Sequence, residues 1–289
     1  MKGYVHTGGN HPLERRPRSN VVTVDLFAGA GGFSLGAMLA GLRVVAAVEM
    51  DKDACWTYRH NLVDPLDDGP SLFEQDILGL DPRHLMSKAC LSPGECDILV
   101  GGPPCQGFST HRLKGVGVDD PRNSLLLRYF EFVAALRPKF FLVENVPGLL
   151  WPRHEKFLKD FYAKAAEIGY VVDQPRILNA RDYGVPQNRK RVFLLGRDSA
   201  TTVPTVAWPP PQTHRAPTDC GPGRSDLPPW RLAAEVFVPG PQGDPNDRHM
   251  NPTPAMVQRF QSTPTDGGTR HQSNCELPCH KDHDGHNDV

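Results

Sequence analysis

Residues 21–36 read VVTVDLFAGAGGFSLG, and this stretch decides the fold. Val21–Phe27 is a short β-branched run that predicts a strand, and Phe33–Leu42 suits a helix. The glycines between them allow the backbone to approach a ligand closely, with helix N–H groups pointing at it. Their Gly-x-Gly-Gly spacing differs from the dinucleotide pattern Gly-x-Gly-x-x-Gly, and no phosphate-gripping lysine follows, which excludes a P-loop. A tight turn without a ligand is the alternative.

Strands and helices continue to alternate as far as residue 197. Buried apolar runs predict further strands, and apolar residues at helical spacing predict two more helices, the second closed by Gly169. The strands are Val44–Glu49, Asp97–Gly101, Phe140–Glu144, 171–172, 177–178 and Val192–Leu195, and the helices are Ser124–Leu136 and Glu155–Ile168. Such alternation predicts a doubly wound α/β fold, with a mainly parallel sheet and helices on both faces.

The composition excludes several classes of protein. The 289 residues are 39% hydrophobic and 22% charged with a formal net charge of −1, so a packed core is expected and a polyanion-coating protein is excluded. Any contact with nucleic acid must come from a local basic patch. The longest apolar run, Met38–Val48, is interrupted by Arg43 and is too short to span a bilayer. Seven cysteines without regular spacing indicate a reducing compartment, and no secretory signal is seen, so we expect a cytoplasmic location without membrane contact.

The composition changes near residue 200. Of the 29 prolines, 15 lie beyond that position, where they rule out a regular sheet or a long helix. We therefore expect a flexible lead-in at 1–19, an α/β domain at 20–199 and an irregular region at 200–289. The tail holds five residues of the types that bind zinc but no Cys-x-x-Cys pair, so we assign no metal. These five are Cys275, Cys279, His280, His283 and His286.

Candidate functional residues fall at the ends of predicted strands. Glu49 follows the glycine turn by roughly 20 residues, where an acid can accept hydrogen bonds from ribose hydroxyls; a solvated strand-end acid is the alternative. Asp76-Ile77 could similarly end a strand at this edge. The stretch GGPPCQGFS, residues 101–109, predicts a rigid loop after its strand, with Cys105 exposed as a candidate nucleophile. Three other cysteines are interpreted as buried or inert, namely Cys55, Cys90 and Cys96.

Two further blocks carry charge at strand ends. Glu144, in the stretch Glu-Asn-Val-Pro, could donate a proton if burial raises its pKa; a helix-capping or ion-paired glutamate is the alternative. The stretch QNRKR, residues 187–191, leads into the strand Val192–Leu195, and six basic residues against one acid lie between 176 and 197. Such a run at the active edge of a sheet could grip phosphates or a base, whereas a solvated face is the alternative.

Together these blocks resemble the signature motifs of the cytosine-C5 DNA methyltransferase family. The match lies in the identity, order and approximate spacing of residues 25–36, 101–109, 144–146 and 187–191. The resemblance implies the S-adenosylmethionine-dependent methyltransferase version of the doubly wound, Rossmann-like sheet, with a late antiparallel strand. It further implies double-stranded DNA as the partner, a place at the nucleoid, and a bacterial-type restriction-modification system.

The resemblance also implies a role for each residue. The Cys105 thiolate would attack carbon 6 of a flipped cytosine, which makes carbon 5 reactive toward the methyl group of S-adenosylmethionine. Glu144 would donate a proton to ring nitrogen 3, Arg189 would hydrogen-bond the base, and Arg191 would help to hold the loop and phosphates. The residues implied to bind the cofactor are Phe27, Gly29, Glu49, Met50, Asp76, Ile77 and Pro104.

The chain departs from the family pattern after residue 200. Neither the later Arg…Glu…Gln-x-Phe-Pro helix nor a final Gly-Asn-x-Val segment is found, so 200–289 resembles the beginning of a target-recognition region in a chain cut short. A partner chain would then supply the missing segment, and the first helix would expose Leu35, Met38 and Leu39. The alternatives are an incomplete fragment that binds cofactor or DNA, and a transfer-RNA cytosine-C5 methyltransferase, against which Gln106–Ser109 favours DNA.

Overall fold

A computed structural model describes residues 19–104, 123–202, 207–217 and 226–236, together with 253–254 and 257–258. The chain divides into two compact units, Met1–Glu235 and Val236–Val289. The sheet lies entirely in the first unit. The predicted boundary between 199 and 200 stays a prediction.

The described residues form one eight-stranded sheet with the order β3-β2-β1-β4-β5-β8-β6, and β7 pairs with β8 off this path. Strands β1 to β5 are parallel to one another, whereas β8 runs antiparallel to β5, β6 and β7. The strands are β1 Val22–Leu26, β2 Arg43–Glu49, β3 Ser71–Glu74, β4 Ile98–Gly101, β5 Phe140–Asn145, β6 Tyr170–Val172, β7 Arg176–Asn179 and β8 Lys190–Asp198. The doubly wound sheet and its late antiparallel strand are confirmed.

Five α-helices are described, and local capping explains where several of them begin. Asp51 accepts hydrogen bonds from the Asp53 and Ala54 amides at the start of the second helix, and Asp81 accepts one from Arg83 at the start of the third. The helices are α1 Gly32–Leu39, α2 Lys52–Tyr58, α3 Pro82–Lys88, α4 Asn123–Leu136 and α5 Glu155–Glu167, and a π-helical turn, Arg59–Val63, extends α2.

Two helices, α2 and α3, were not predicted from the sequence, and only the end of β3 was, at Asp76-Ile77 instead of Glu74. Each is seven residues or shorter, so none holds enough turns or alternations for a periodic pattern. The first helix also ends earlier than predicted, at Leu39 instead of Leu42. Gly41 there adopts a positive φ of 84°, and its amide donates to the Met38 carbonyl, which closes the helix.

The core lies on both faces of the sheet. The larger cluster packs α3, α4 and α5 against residues such as Val24 and Phe141, and the smaller one packs Tyr58, Leu62 and Leu66 against Ala47. On α1, Leu35 and Leu39 are exposed as predicted, at 41% and 39%. The prediction for Met38 is wrong, because its side chain packs on the smaller cluster.

An aromatic cluster fixes the antiparallel half of the sheet. Phe141 on β5 lies edge-on or tilted against Tyr129, Phe161 and Tyr170, with ring centroids 6.1, 6.2 and 5.4 Å away. Its partner across the ladder is Gly196 on β8. A Cβ at Gly196 would lie 2.1 Å from the Phe141 ring, so the ring occupies the space that any other residue would need.

Among the described residues, no helix is both long and apolar enough to cross a membrane.

Candidate active site

The sheet topology brings the predicted functional residues to one edge. The β1 residue Leu26 pairs with Val48 on one side and Gly101 on the other, and Gly101 pairs with Val143. Parallel strands end at the same edge of a sheet, where open α/β sheets bind ligands. The residues that follow these four strand positions are therefore neighbours, although they are far apart in the sequence.

A cavity of about 250 Å³ lies at the ends of β1 and β2, and we call it the inner pocket. Its wall is largely apolar, with acidic side chains from Glu49 and Asp76. It contains six of the seven residues predicted to bind the cofactor, namely Phe27, Glu49, Met50, Asp76, Ile77 and Pro104. A narrow apolar slot with an aromatic ring and two carboxylates fits an adenosyl group, because the base needs apolar walls and the ribose needs acceptors.

The seventh residue, Gly29, connects to this pocket through Glu49. The Gly29 amide donates to Glu49 Oε2 at 2.8 Å, while the Met50 and Asp51 amides donate to Oε1 at 2.8 Å each. Glu49 thus holds the glycine turn against the end of β2. This structural use of the carboxylate was not predicted, although each oxygen retains acceptor capacity for a further donor.

The glycine turn itself requires glycine at Gly31. Its φ is 99°, and a Cβ there would lie 2.4 Å from the Leu62 side chain. Phe27, at the end of β1, also has a positive φ of 59°. Bulky residues rarely adopt this backbone conformation. Phe27 lines the inner pocket from this position.

A buried carboxyl group beneath the turn was missed by the sequence interpretation. Asp25 is fully buried in β1, and its Oδ2 accepts hydrogen bonds from the Ser34 amide at 3.1 Å and the Ser34 hydroxyl at 2.7 Å. The Tyr58 hydroxyl donates to Ser34 Oγ at 2.8 Å, whereas Asp25 Oδ1 has no hydrogen-bond partner among the described residues. Burial raises the pKa of Asp25 to about 7, against the lowering effect of the Ser34 bonds.

A second cavity, of about 440 Å³, lies beside the inner pocket, and we call it the reaction pocket. It brings together Glu144 with Arg189 and Arg191, three of the four residues predicted to be catalytic. Phe27 and Gly102 line both pockets. The fourth residue, Cys105, lies outside the described residues, as do the five Cys and His residues of the tail.

Glu144 is an ion-paired residue in this pocket. Arg191 Nε lies 2.9 Å from Glu144 Oε1, and Arg189 Nη2 lies 3.8 Å from the same oxygen. The Glu144 side chain is 22% exposed. A glutamate that donates a proton if burial raises its pKa was one prediction, and an ion-paired glutamate was its alternative. The side chain is ion-paired in the structure, and its role as a proton donor stays a prediction.

Asn179 positions the arginine-bearing loop and was also missed. Its Oδ1 accepts from the Arg189 amide at 3.0 Å, and its Nδ2 donates to Asn188 Oδ1 at 2.8 Å. The Ala180 amide donates to the Arg189 carbonyl at 3.0 Å, which closes the loop. Asn179 is buried, and its bonds fix the backbone from which Arg189 projects.

The three cysteines that were predicted to be buried or inert differ in exposure. Cys55 and Cys96 are buried as predicted, but Cys90 is exposed, because it follows the end of α3 in a turn with a positive φ of 54°. Within the ranges that the structure describes, no group of three or more metal-ligating side chains occurs.

Comparison with known proteins identifies the family. The model of the family described as C-5 cytosine-specific DNA methylase matches residues 21–228. The chain belongs to this family. The prediction from the four sequence blocks is therefore confirmed, and the match extends beyond them to the segment after β8.

Several methylase relatives are similar over much of this chain. Type II methyltransferase M.XorII of Xanthomonas oryzae pv. oryzae is 37% identical over 256 residues, which cover 87% of this chain and 56% of the relative. M.AgeI of Thalassovita gelatinovora is 42% identical over 60% of this chain and 39% of its own length. The chain thus spans about half the length of these relatives.

Two solved structures support the methyltransferase fold. A protein described as a DNA modification methyltransferase, encoded within an E. coli prophage, is 33% identical with a TM-score of 0.53, covering 62% of this chain and 47% of that one. Spodoptera frugiperda DNMT2 is 25% identical with a TM-score of 0.51, covering 72% and 57%. The sheet described above is therefore the Rossmann-like methyltransferase sheet.

Proposed function

We propose that this chain transfers a methyl group from S-adenosylmethionine to carbon 5 of a cytosine flipped out of duplex DNA. The observation that carries the proposal is the shared wall of the inner pocket and the reaction pocket at Phe27 and Gly102. A donor in the first pocket and a base in the second would then lie next to each other, as direct group transfer requires.

The inner pocket is proposed to hold the cofactor, which supplies an electrophilic methyl group when bound. Glu49 would accept from ribose hydroxyls with the acceptor capacity left by its three amide bonds. Phe27 would lie against the adenine or methionine portion. Asp76 and Ile77 would contact the adenine, Met50 would line the same pocket, and Pro104 would lie near the methyl-transfer site. Gly29 would allow the backbone to approach closely.

The reaction pocket is proposed to hold the base. Cys105 would add as a thiolate to carbon 6 and so make carbon 5 nucleophilic; after methyl transfer, loss of the carbon 5 proton would expel the thiolate and restore the ring. Arg189 would donate to the base. Glu144, in its protonated form, would donate to ring nitrogen 3, and Arg191 Nε, 2.9 Å from Glu144 Oε1, would orient the carboxyl group.

The relatives' names and the nucleic-acid chemistry support the remaining parts of the proposal. Because M.XorII and M.AgeI are named Type II methyltransferases, we assign this chain to a restriction-modification system. Its DNA substrate implies a place at the bacterial nucleoid, in the cytoplasm. The partner chain predicted from the family pattern stays a prediction.

Methyl transfer tests the proposal directly. The chain is incubated with tritium-labelled S-adenosylmethionine and either mixed-sequence duplex DNA or transfer RNA, and digested nucleosides are separated. We expect label in 5-methyldeoxycytidine, lost in Cys105→Ser and retained in Cys90→Ser, which removes an exposed thiol elsewhere. Label found only in 5-methylcytidine of the transfer RNA would show that the substrate is RNA and not DNA. Label in another base would refute the proposed reaction.

A further inference from the structure

A third cavity, of about 500 Å³, opens on the other face of the hairpin formed by β7 and β8, and we call it the outer cleft. Side chains alternate along a strand, so neighbouring residues of this hairpin face opposite ways. Leu178, Ala180, Arg189 and Arg191 line the reaction pocket, whereas Ile177, Asn179, Arg181 and Lys190 line the outer cleft. The two cavities therefore share the end of one hairpin.

The outer cleft is positively charged. Arg181, Lys190 and Arg215 line it with one acid, Asp182. The Asp182 carboxylate accepts from Trp230 Nε1 at 2.9 Å and from Gln212 Nε2 at 3.3 Å, and no ion pair joins it to Arg181 among the described residues. The acid thus anchors neighbouring side chains and leaves the charge of the adjacent arginine uncompensated.

Arg181 is held in place by an aromatic platform. Its guanidinium lies 3.6 Å from the centroid of the Trp230 ring, and the bond from Trp230 to Asp182 fixes that ring. Arg181 Nε is buried and has no hydrogen-bond partner among the described residues. A guanidinium stacked on a ring directs its N–H groups outward in its own plane, so the terminal N–H groups of Arg181 can donate to an anion.

The other two cationic residues of the cleft, Arg215 and Lys190, make different contacts. Arg215 donates to the Leu227 and Ala216 carbonyls at 3.0 and 3.2 Å, so it joins its own segment to the one that contains Leu227. Lys190 is exposed at the start of β8 and pairs through its backbone with Asn179. Arg181 and Lys190 are therefore the donors that the cleft offers to a ligand.

We propose that the outer cleft binds a backbone phosphate of the substrate DNA through Arg181 and Lys190. The inference rests on the proposed function for the identity of the polymer. A phosphodiester matches a cleft that offers two cationic donors. A phosphate held on the outer face of the hairpin would fix the duplex at the hairpin end whose inner face carries Arg189 and Arg191.

The salt dependence of DNA binding tests the assignment. Anisotropy of a short fluorescein-labelled duplex is measured against salt concentration for the full chain and for Arg181→Gln and Lys190→Gln. Each lost phosphate contact should lower the log–log salt slope by about 0.9 and weaken binding about tenfold at low salt. The matched control is Lys164→Gln, which removes one exposed cation from α5 outside the cleft.

Each outcome decides the matter. Affinity for S-adenosylmethionine, measured by calorimetry, should stay unchanged in both cleft variants and show that they are folded; if Arg181→Gln fails this check, the exposed Lys190→Gln alone decides. Cleft variants that bind with the slope of the Lys164→Gln control, and still methylate DNA, overturn the cleft and leave the proposed function intact. The expected slope change in a chain that methylates no DNA overturns the proposed function instead.

Discussion

Replacing the buried Asp25 by asparagine should remove a pH dependence of the free energy of unfolding. The pKa of this carboxyl is about 7 in the folded chain against an ordinary value of 3.8. Below the lower value, both folded and unfolded chains hold the proton. As pH rises from 3.8 to about 7, the unfolded chain loses it first, so the native state becomes less stable relative to the unfolded one.

The size of this effect follows from the shift. One pKa unit corresponds to about 1.4 kcal/mol, so the full change is on the order of 4 kcal/mol, and roughly 3 kcal/mol of it falls between about pH 5 and pH 8. Asparagine does not titrate. Its carbonyl oxygen can still accept the two bonds from Ser34 at the start of α1.

Urea unfolding of both chains, extrapolated to water at about pH 5 and pH 8, measures the effect. We expect the stability of Asp25→Asn relative to wild type to rise by about 3 kcal/mol between these two conditions. Asp160→Asn, the same change at an exposed position of α5, is the control. A constant difference between Asp25→Asn and wild type would refute the argument that burial dominates at this carboxyl.

Three further changes test individual contacts. Glu49→Gln should weaken S-adenosylmethionine binding by about 1–3 kcal/mol in calorimetry, because it weakens the acceptor that holds the glycine turn; unchanged affinity would contradict the role. Glu144→Gln should leave that affinity nearly intact and slow single-turnover methyl transfer by at least ~10²-fold; an equal loss of affinity in both variants would remove the division of roles. Gly196→Ala should lower the free energy of unfolding by about 1–3 kcal/mol in urea, since its Cβ would overlap Phe141, and a neutral result would mean that the ring moves freely.

Local sequence signals predict the parts of this site that depend on one strand end at a time. Val22–Leu26 is rich in β-branched residues and leads into glycines. Phe140–Asn145 begins with an apolar run that Glu144 follows. Both strands can therefore be predicted from the sequence. Because strands alternate with helices along the chain, the strands are expected to be parallel and their carboxyl ends to meet at one edge of the sheet. This is consistent with the single pocket lined by six residues that the family resemblance assigned to the cofactor.

Contacts between segments that are distant in the chain could not be predicted from the sequence. The Asp25–Ser34–Tyr58 chain needs α2, whose seven residues carry no periodic signal. The stacking of Arg181 on Trp230 joins residues on opposite sides of a proline-rich segment that has no repeating pattern. In both cases the partner is fixed by tertiary packing, and no spacing rule connects the two positions.

Trapping the covalent intermediate tests the central claim most directly. Duplex DNA containing 5-fluorocytosine lacks the carbon 5 proton whose loss would release the enzyme, so the adduct should persist in the presence of S-adenosylmethionine. The account predicts a denaturation-resistant complex with the mass of chain, DNA and one methyl group, attached at Cys105 after digestion, and absent from Cys105→Ser. A complex that persists unchanged in Cys105→Ser, or one attached at Cys90, would contradict it.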